Sequence, residues 1–143
     1  MIIVVGYIPT PEGHAALDAA IAEGRLRQGK ILVLNASRGD APVDQRFSSE
    51  EDWEAVHRQL QESGVDFEVL QQLHSEDPAE QVLHTAKEHG ADLIVIGIRR
   101  RSPVGKLILG SAAQTILLES ECPVFAVKAD HDRSRHFWSG LRH

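Results

Sequence analysis

Five apolar runs of strand length punctuate the chain, at residues 2–6, 31–34, 67–70, 91–97 and 123–127. Most are continuously aliphatic, as in strands covered on both faces of a sheet. Between them the apolar residues recur three or four apart, as on one side of a helix. Ala16, Leu17, Ala20 and Ile21 form the first such stripe, with Thr10 as N-cap, Pro11 at the first helical position and an end expected near Gly24. Trp53, Val56, His57 and Leu60 form the second, with Ser48 and Glu51 at capping-box spacing and Ser63-Gly64 closing it. Val82, Leu83 and Ala86 form the third, started by Asp77-Pro78-Ala79-Glu80 and stopped by Gly90. Ala112, Ala113, Ile116 and Leu117 are the expected inner face of the fourth.

The order is βαβαβαβαβ, which predicts an α/β fold: one parallel sheet with helices on both faces. In such sheets ligands bind beyond the carboxyl ends of the strands, where the strand order reverses. With five strands in the order 3-2-1-4-5, the reversal lies between strands one and four. The loop after strand one and the long loop from Gly97 to Ser111 then face each other.

At 143 residues the chain has room for one domain and a substantial core. The pattern places that domain at residues 1–128, followed by a polar tail, 129–143, expected to be flexible or to dock through Trp138 of its Phe137-Trp138 pair. Hydrophobic content of 42% and charged content of 25% are ordinary for a globular protein. No apolar run approaches the roughly 20 residues of a membrane span, and no basic segment precedes the first strand. The expectation is a cytoplasmic chain that engages no membrane. Its single cysteine, Cys122, can form no internal disulfide and reads as a buried structural thiol.

Charge narrows the ligand. The net charge is −6, yet Arg99, Arg100, Arg101 and Lys106 lie within the eight residues 99–106. Local positive charge on an acidic background favours a small anion or an acidic partner over nucleic acid. Several chemistries fall away on spacing. After Gly6 the next glycine is Gly13, so a dinucleotide fingerprint is missing. Gly105-Lys106 is followed by Leu107 and preceded by Arg101 where a P-loop needs its first glycine, so there is no Walker motif. Ile8 stands where a phospho-receiver would carry aspartate. The eight histidines do not pair with cysteine at zinc spacing. No nucleophile with its own base is visible, and Ser111 at a helix start suits capping or phosphate contact.

A strand ending in glycine, a long loop, Gly-Ser, a helix, Cys-Pro-Val and a last strand together resemble the universal stress protein family, over residues 1 to about 128. The resemblance implies a Rossmann-like, adenine nucleotide alpha hydrolase-like fold. ATP-binding members carry Gly, two residues, Gly, nine residues, then Gly with Ser or Thr. Gly97, Gly110 and Ser111 match that spacing, while Arg100 replaces the second glycine and Ile8 the usual aspartate. What the resemblance implies for the site is that Gly97 and Gly110 admit phosphates and ribose, with Ser111 and Ala112 at the phosphate end. Ile8, Pro9 and Ala36 would border the base. Arg100, with Arg99 beside it, either fills the phosphate path or grips an anion as a charged fork.

Two function classes follow. One is a stress regulator that binds ATP, another adenine nucleotide or a cyclic nucleotide, with magnesium held through the phosphates. The other is a dimeric interaction or chaperone-like module that binds no nucleotide. A slow nucleotide hydrolase ranks last, because no general base is visible near the loop. Family members dimerise through the last strand, so residues 124–127 are the expected homodimer edge, and an unidentified protein partner is a further expectation.

Overall fold

The computed structural model of this chain describes residues 1–35, 43–70, 77–98 and 110–129, with the backbone alone over 43–52. Its elements are β1 (Ile2–Tyr7), α1 (Pro11–Arg27), β2 (Lys30–Asn35), α2 (Val43–Ser63), β3 (Asp66–Leu70), α3 (Pro78–His89), β4 (Leu93–Ile98), α4 (Ser111–Glu119) and β5 (Val124–Lys128). The strands form one parallel sheet in the order β3-β2-β1-β4-β5, as the pattern predicts.

The twofold alternation of strand side chains divides the core into two layers. Ile3, Val5, Ile31, Val33, Leu93 and Val95 meet Leu17, Ile21, Val56 and Leu60 of α1 and α2 on one face. Val4, Leu32, Ile94 and Ile96 meet Val82, Ala86 and Ile116 of α3 and α4 on the other. Two helices out on one face and two back on the other are what right-handed crossovers produce when the strand order reverses between β1 and β4. Each fully buried Ile, Leu or Val stabilises the fold by roughly 1.5–3 kcal/mol relative to exposure.

Helix starts follow their caps. Thr10 Oγ1 accepts a hydrogen bond from the Gly13 amide at 3.0 Å, and Pro11 occupies the first helical position of α1. Asp77 accepts from the amides of Ala79 and Glu80 at 3.1 and 3.3 Å, ahead of Pro78 in α3. Gly90 ends α3 in the left-handed region, at φ 63°.

Four expectations are corrected. Helix α1 does not stop near Gly24: that glycine is buried inside the helix, where a Cβ would press on Val65 and Ile31, and the turn comes at Gln28 with φ 55°. Ser48 and Glu51 lie inside α2 instead of at its start, because the helix begins at Val43, directly after Pro42, and prolines suit helix beginnings. Leu117 is 39% exposed: α4 is short and lies at the sheet's margin, so its inner stripe narrows to Ala112, Ala113 and Ile116. Cys122 is half-buried, its Sγ 3.6 Å from the Ser120 hydroxyl. The last two strands also lie one or two residues later than the apolar runs suggest.

Strand β5 is an edge of the sheet, with Phe125 37% exposed. No helix among the described residues is long and apolar enough to cross a membrane.

Candidate functional site

Three helices begin at the carboxyl ends of β1 and β4, and an open crevice of about 300 Å³ lies between them. Its floor is Gly6 and Ile8 from the end of β1 and Ile96 and Gly97 from the end of β4. Its walls are Glu12 and Gly13 of α1, Pro78 and Val82 of α3, and Ala112, Ala113 and Ile116 of α4. This is the position that strand order alone assigns to a ligand. Alanines and glycines create the volume. The branched residues Ile8, Val82, Ile96 and Ile116 make its surface largely apolar.

The helix starts differ in how their first-turn amides are satisfied. Side chains cap α1 and α3, as described above, whereas Gly110 at the start of α4 makes no side-chain cap bond. Ala112 and Ala113, in that first turn, border the crevice. The Ser111 side chain is exposed, and its carbonyl accepts from the Thr115 hydroxyl at 3.0 Å. A helix start of this kind presents amide hydrogens and the positive end of the helix dipole.

The family resemblance gives Gly97 and Gly110 one role, and the structure separates them. Gly97 alternates with Val95, so its missing side chain faces α1, where a Cβ would fall on the Glu12 carbonyl. Gly13 is constrained in the same way by the Ile8 carbonyl. These two glycines let the start of α1 lie directly on the ends of β1 and β4. Gly110 has φ −70° and ψ 165°, and no atom of the described residues lies within 4 Å of a Cβ built there. Neither backbone strain nor packing among the described residues calls for glycine at that point.

The structure thus brings Ile8, Gly97 and Ala112 together on the crevice wall, and Gly110 and Ser111 lead into α4 beside it. Pro9 follows Ile8 in the β1–α1 turn but does not line the crevice, while the Ile8 carbonyl accepts from the Thr10 amide at 2.8 Å. Ala36, Arg99 and Arg100 lie outside the described residues, as does the tail beyond residue 129. As crevice residues, sequence reasoning missed Gly6, Glu12, Gly13, Pro78, Val82, Ile96, Ala113 and Ile116. Glu12 is 9% exposed and is the one charged side chain among the described residues of the wall. Its available signal was an acidic residue one position after a helix-starting proline in a loop at the switch point. No group of His, Cys, Asp or Glu among the described residues could hold a metal ion.

Behind the crevice, on the α1 and α2 side, the fully buried Tyr7 shares a hydrogen bond of 3.1 Å with His14 Nε2. The ring of Trp53 meets Tyr7 edge-on at 5.2 Å between centroids. These aromatics fix the last residue of β1, immediately before Ile8.

Comparison with known proteins gives a consistent picture. The family model described as universal stress protein family matches residues 1–128. A universal stress protein of Mycolicibacterium smegmatis is 48% identical over 126 residues, spanning 88% of this chain and 96% of that relative. A solved universal stress protein from Archaeoglobus fulgidus superposes with a TM-score of 0.67 at 28% identity, over 89% of this chain and 97% of its own. A universal stress protein from the same organism, solved in complex with dAMP, gives a TM-score of 0.63 at 22% identity, over 89% of this chain and 96% of that one.

Proposed function

Because the chain belongs to the universal stress protein family, we propose that it is a cytoplasmic regulator that binds a nucleotide or another phosphate-bearing anion in the crevice between β1 and β4. The observation that carries this reading is the start of α4. Its first turn, uncapped by any side chain among the described residues, opens beside an apolar crevice large enough for a base or sugar. Backbone amides at a helix start bind phosphate well, and the apolar wall suits a ring. In this reading phosphates lie at Gly110 and Ser111, and the ring lies against Ile8 and Ile96. The bound dAMP of the Archaeoglobus fulgidus protein, which shares the fold, supports an adenine nucleotide as the ligand class. ATP is the member that the Gly97, Gly110 and Ser111 spacing favours, with magnesium held by its phosphates. The role is binding and signalling through a partner, in preference to hydrolysis.

The second part of the proposal is a homodimer through β5. The parallel strands leave the β5 edge unpaired within the described sheet, and Phe125 is more than a third exposed beside it. An apolar edge of this kind invites pairing with a second copy. A dimeric module without nucleotide remains the alternative to the ligand reading, and one titration separates the two.

Calorimetric titration with ATP, ADP, AMP and cyclic AMP, in the presence of magnesium, is the test. Saturable binding near one ligand per chain supports the proposal. Absence of binding to the unaltered protein, with binding restored in Arg100→Gly, would establish the ligand-free module, with an arginine occupying the path of the phosphates.

A further inference from the structure

A second cavity, of about 290 Å³, opens at the opposite end of the sheet from the crevice, where the carboxyl ends of α3 and α4 converge beside the starts of β4 and β5. Leu83, Ala86 and Ile94 give this groove an apolar floor. Glu119 and Glu121 stand on its rim at the end of α4, and Lys87 is the one cation among the described lining residues, which leaves one negative charge in excess. Helix α4 has no basic residue in its last turn, and neither glutamate forms an ion pair among the described residues. Carboxylates at the negative end of a helix are unfavourable, and the end of α3 adds its own dipole to the same field. Leu118, immediately before Glu119, is 84% exposed. The groove is therefore built for a cation carried on an apolar or aromatic body.

The chain itself carries such a body. Residues 133–143, outside the described residues, contain Arg133, Arg135 and Arg142 together with Phe137, Trp138 and Leu141, and no acidic side chain. We propose that this tail docks in the groove of its own chain, with an arginine held by Glu119 and Glu121 and the Phe137-Trp138 pair on the apolar floor. A guanidinium suits paired carboxylates because its donors form a planar fork. The reach is sufficient. Strand β5 carries the chain away from the groove over five residues, about 17 Å at the usual strand rise. Arg135 lies six residues beyond Ala129 and Trp138 nine, spans of up to about 20 and 30 Å when extended. Tethering sets the effective concentration of the tail on the order of millimolar, so individually weak contacts fill the groove. The proposal is independent of the nucleotide reading above.

Cys122 lines the groove and is the chain's only cysteine, so its thiol reports whether the groove is covered. The experiment follows alkylation of Cys122 by N-ethylmaleimide in the full chain, read by mass spectrometry, for the unaltered protein, for Trp138→Ala and for Arg133→Glu with Arg135→Glu. A docked tail slows the reaction by its docked-to-free ratio, and either set of tail substitutions should raise the rate about tenfold. Glu119→Arg with Glu121→Arg should do the same, and combining all four charge reversals should restore the slow rate, which a merely structural effect would not. Equal rates for the unaltered protein and both tail variants would overturn the proposal. So would protection that fades on dilution, since it would give the groove to the tail of a second copy. The tail variants leave residues 1–128 unaltered, so they decide the matter even if the groove variants fold poorly.

Discussion

Gly97, in β4, and Gly110, at the start of α4, are thirteen residues apart in the sequence, yet the structure predicts opposite consequences for filling them. In Gly97→Ala the new methyl group would fall on the Glu12 carbonyl, which is backbone at a helix start and cannot rotate aside. Either α1 lifts from β4 or β4 shifts within the sheet. Overpacking of this kind costs about 1–3 kcal/mol, and a rigid neighbour places Gly97 near the upper end. For a domain of this length about 3 kcal/mol lowers the melting temperature by roughly 10 °C. Among the described residues Gly110→Ser meets nothing within 4 Å of its Cβ; it keeps an ordinary φ of −70° and supplies a side-chain cap where Gly110 makes none. It should stabilise the fold by about 0.3 kcal/mol, or roughly 1 °C, because serine is a slightly better N-cap than glycine. If the crevice holds phosphates at α4, the same serine should cost ligand affinity while it raises stability. Differential scanning calorimetry of both variants, paired with nucleotide titration, reads both effects. A Gly97→Ala protein melting within 2 °C or so of the unaltered chain would refute the packing argument.

Asp77→Ala removes the acceptor for two amides at the start of α3 and should cost about 1 kcal/mol in chemical denaturation, with the slope unchanged. Gln28→Gly relieves a left-handed residue at the end of α1 and should stabilise by about 0.5–1 kcal/mol; a loss of stability would show that Gln28 makes compensating contacts. Phe125→Asp introduces charge beside the β5 edge. It should convert the proposed dimer to a monomer in light scattering while changing subunit stability by no more than about 0.5 kcal/mol, and a chain already monomeric at micromolar concentration would remove the dimer proposal.

The architecture was legible because parallel strands buried on both faces need near-continuous aliphatic runs, and residues 2–5, 31–34 and 93–96 supply them. Thr10 and Asp77 were legible because capping is local chemistry, settled within four residues. What escaped depended on distant neighbours. Gly24 looks like a helix stop until Val65 and Ile31 are known to press on it. Leu117 looks like core until α4 is seen at the sheet's margin, without a further layer to cover it. Glu12 reads as an ordinary first-turn acid, favourable to the helix dipole, and only the convergence of β1, β4 and three helix starts makes it part of a wall.

The aromatic cluster at the end of β1 gives the molecule an optical reporter of its own. Trp53 lies within 5.2 Å of Tyr7, and Tyr7 directly precedes the crevice residue Ile8. Indole emission depends on the field and quenching groups around it, so a displacement of the β1 exit changes the Trp53 signal without a label. The chain's other tryptophan is Trp138, and Trp138→Phe leaves Trp53 as the lone indole. If a ligand in the proposed crevice displaces the β1 exit, its binding then becomes visible in the wavelength and lifetime of Trp53 emission, on the timescale of mixing instead of that of heat release.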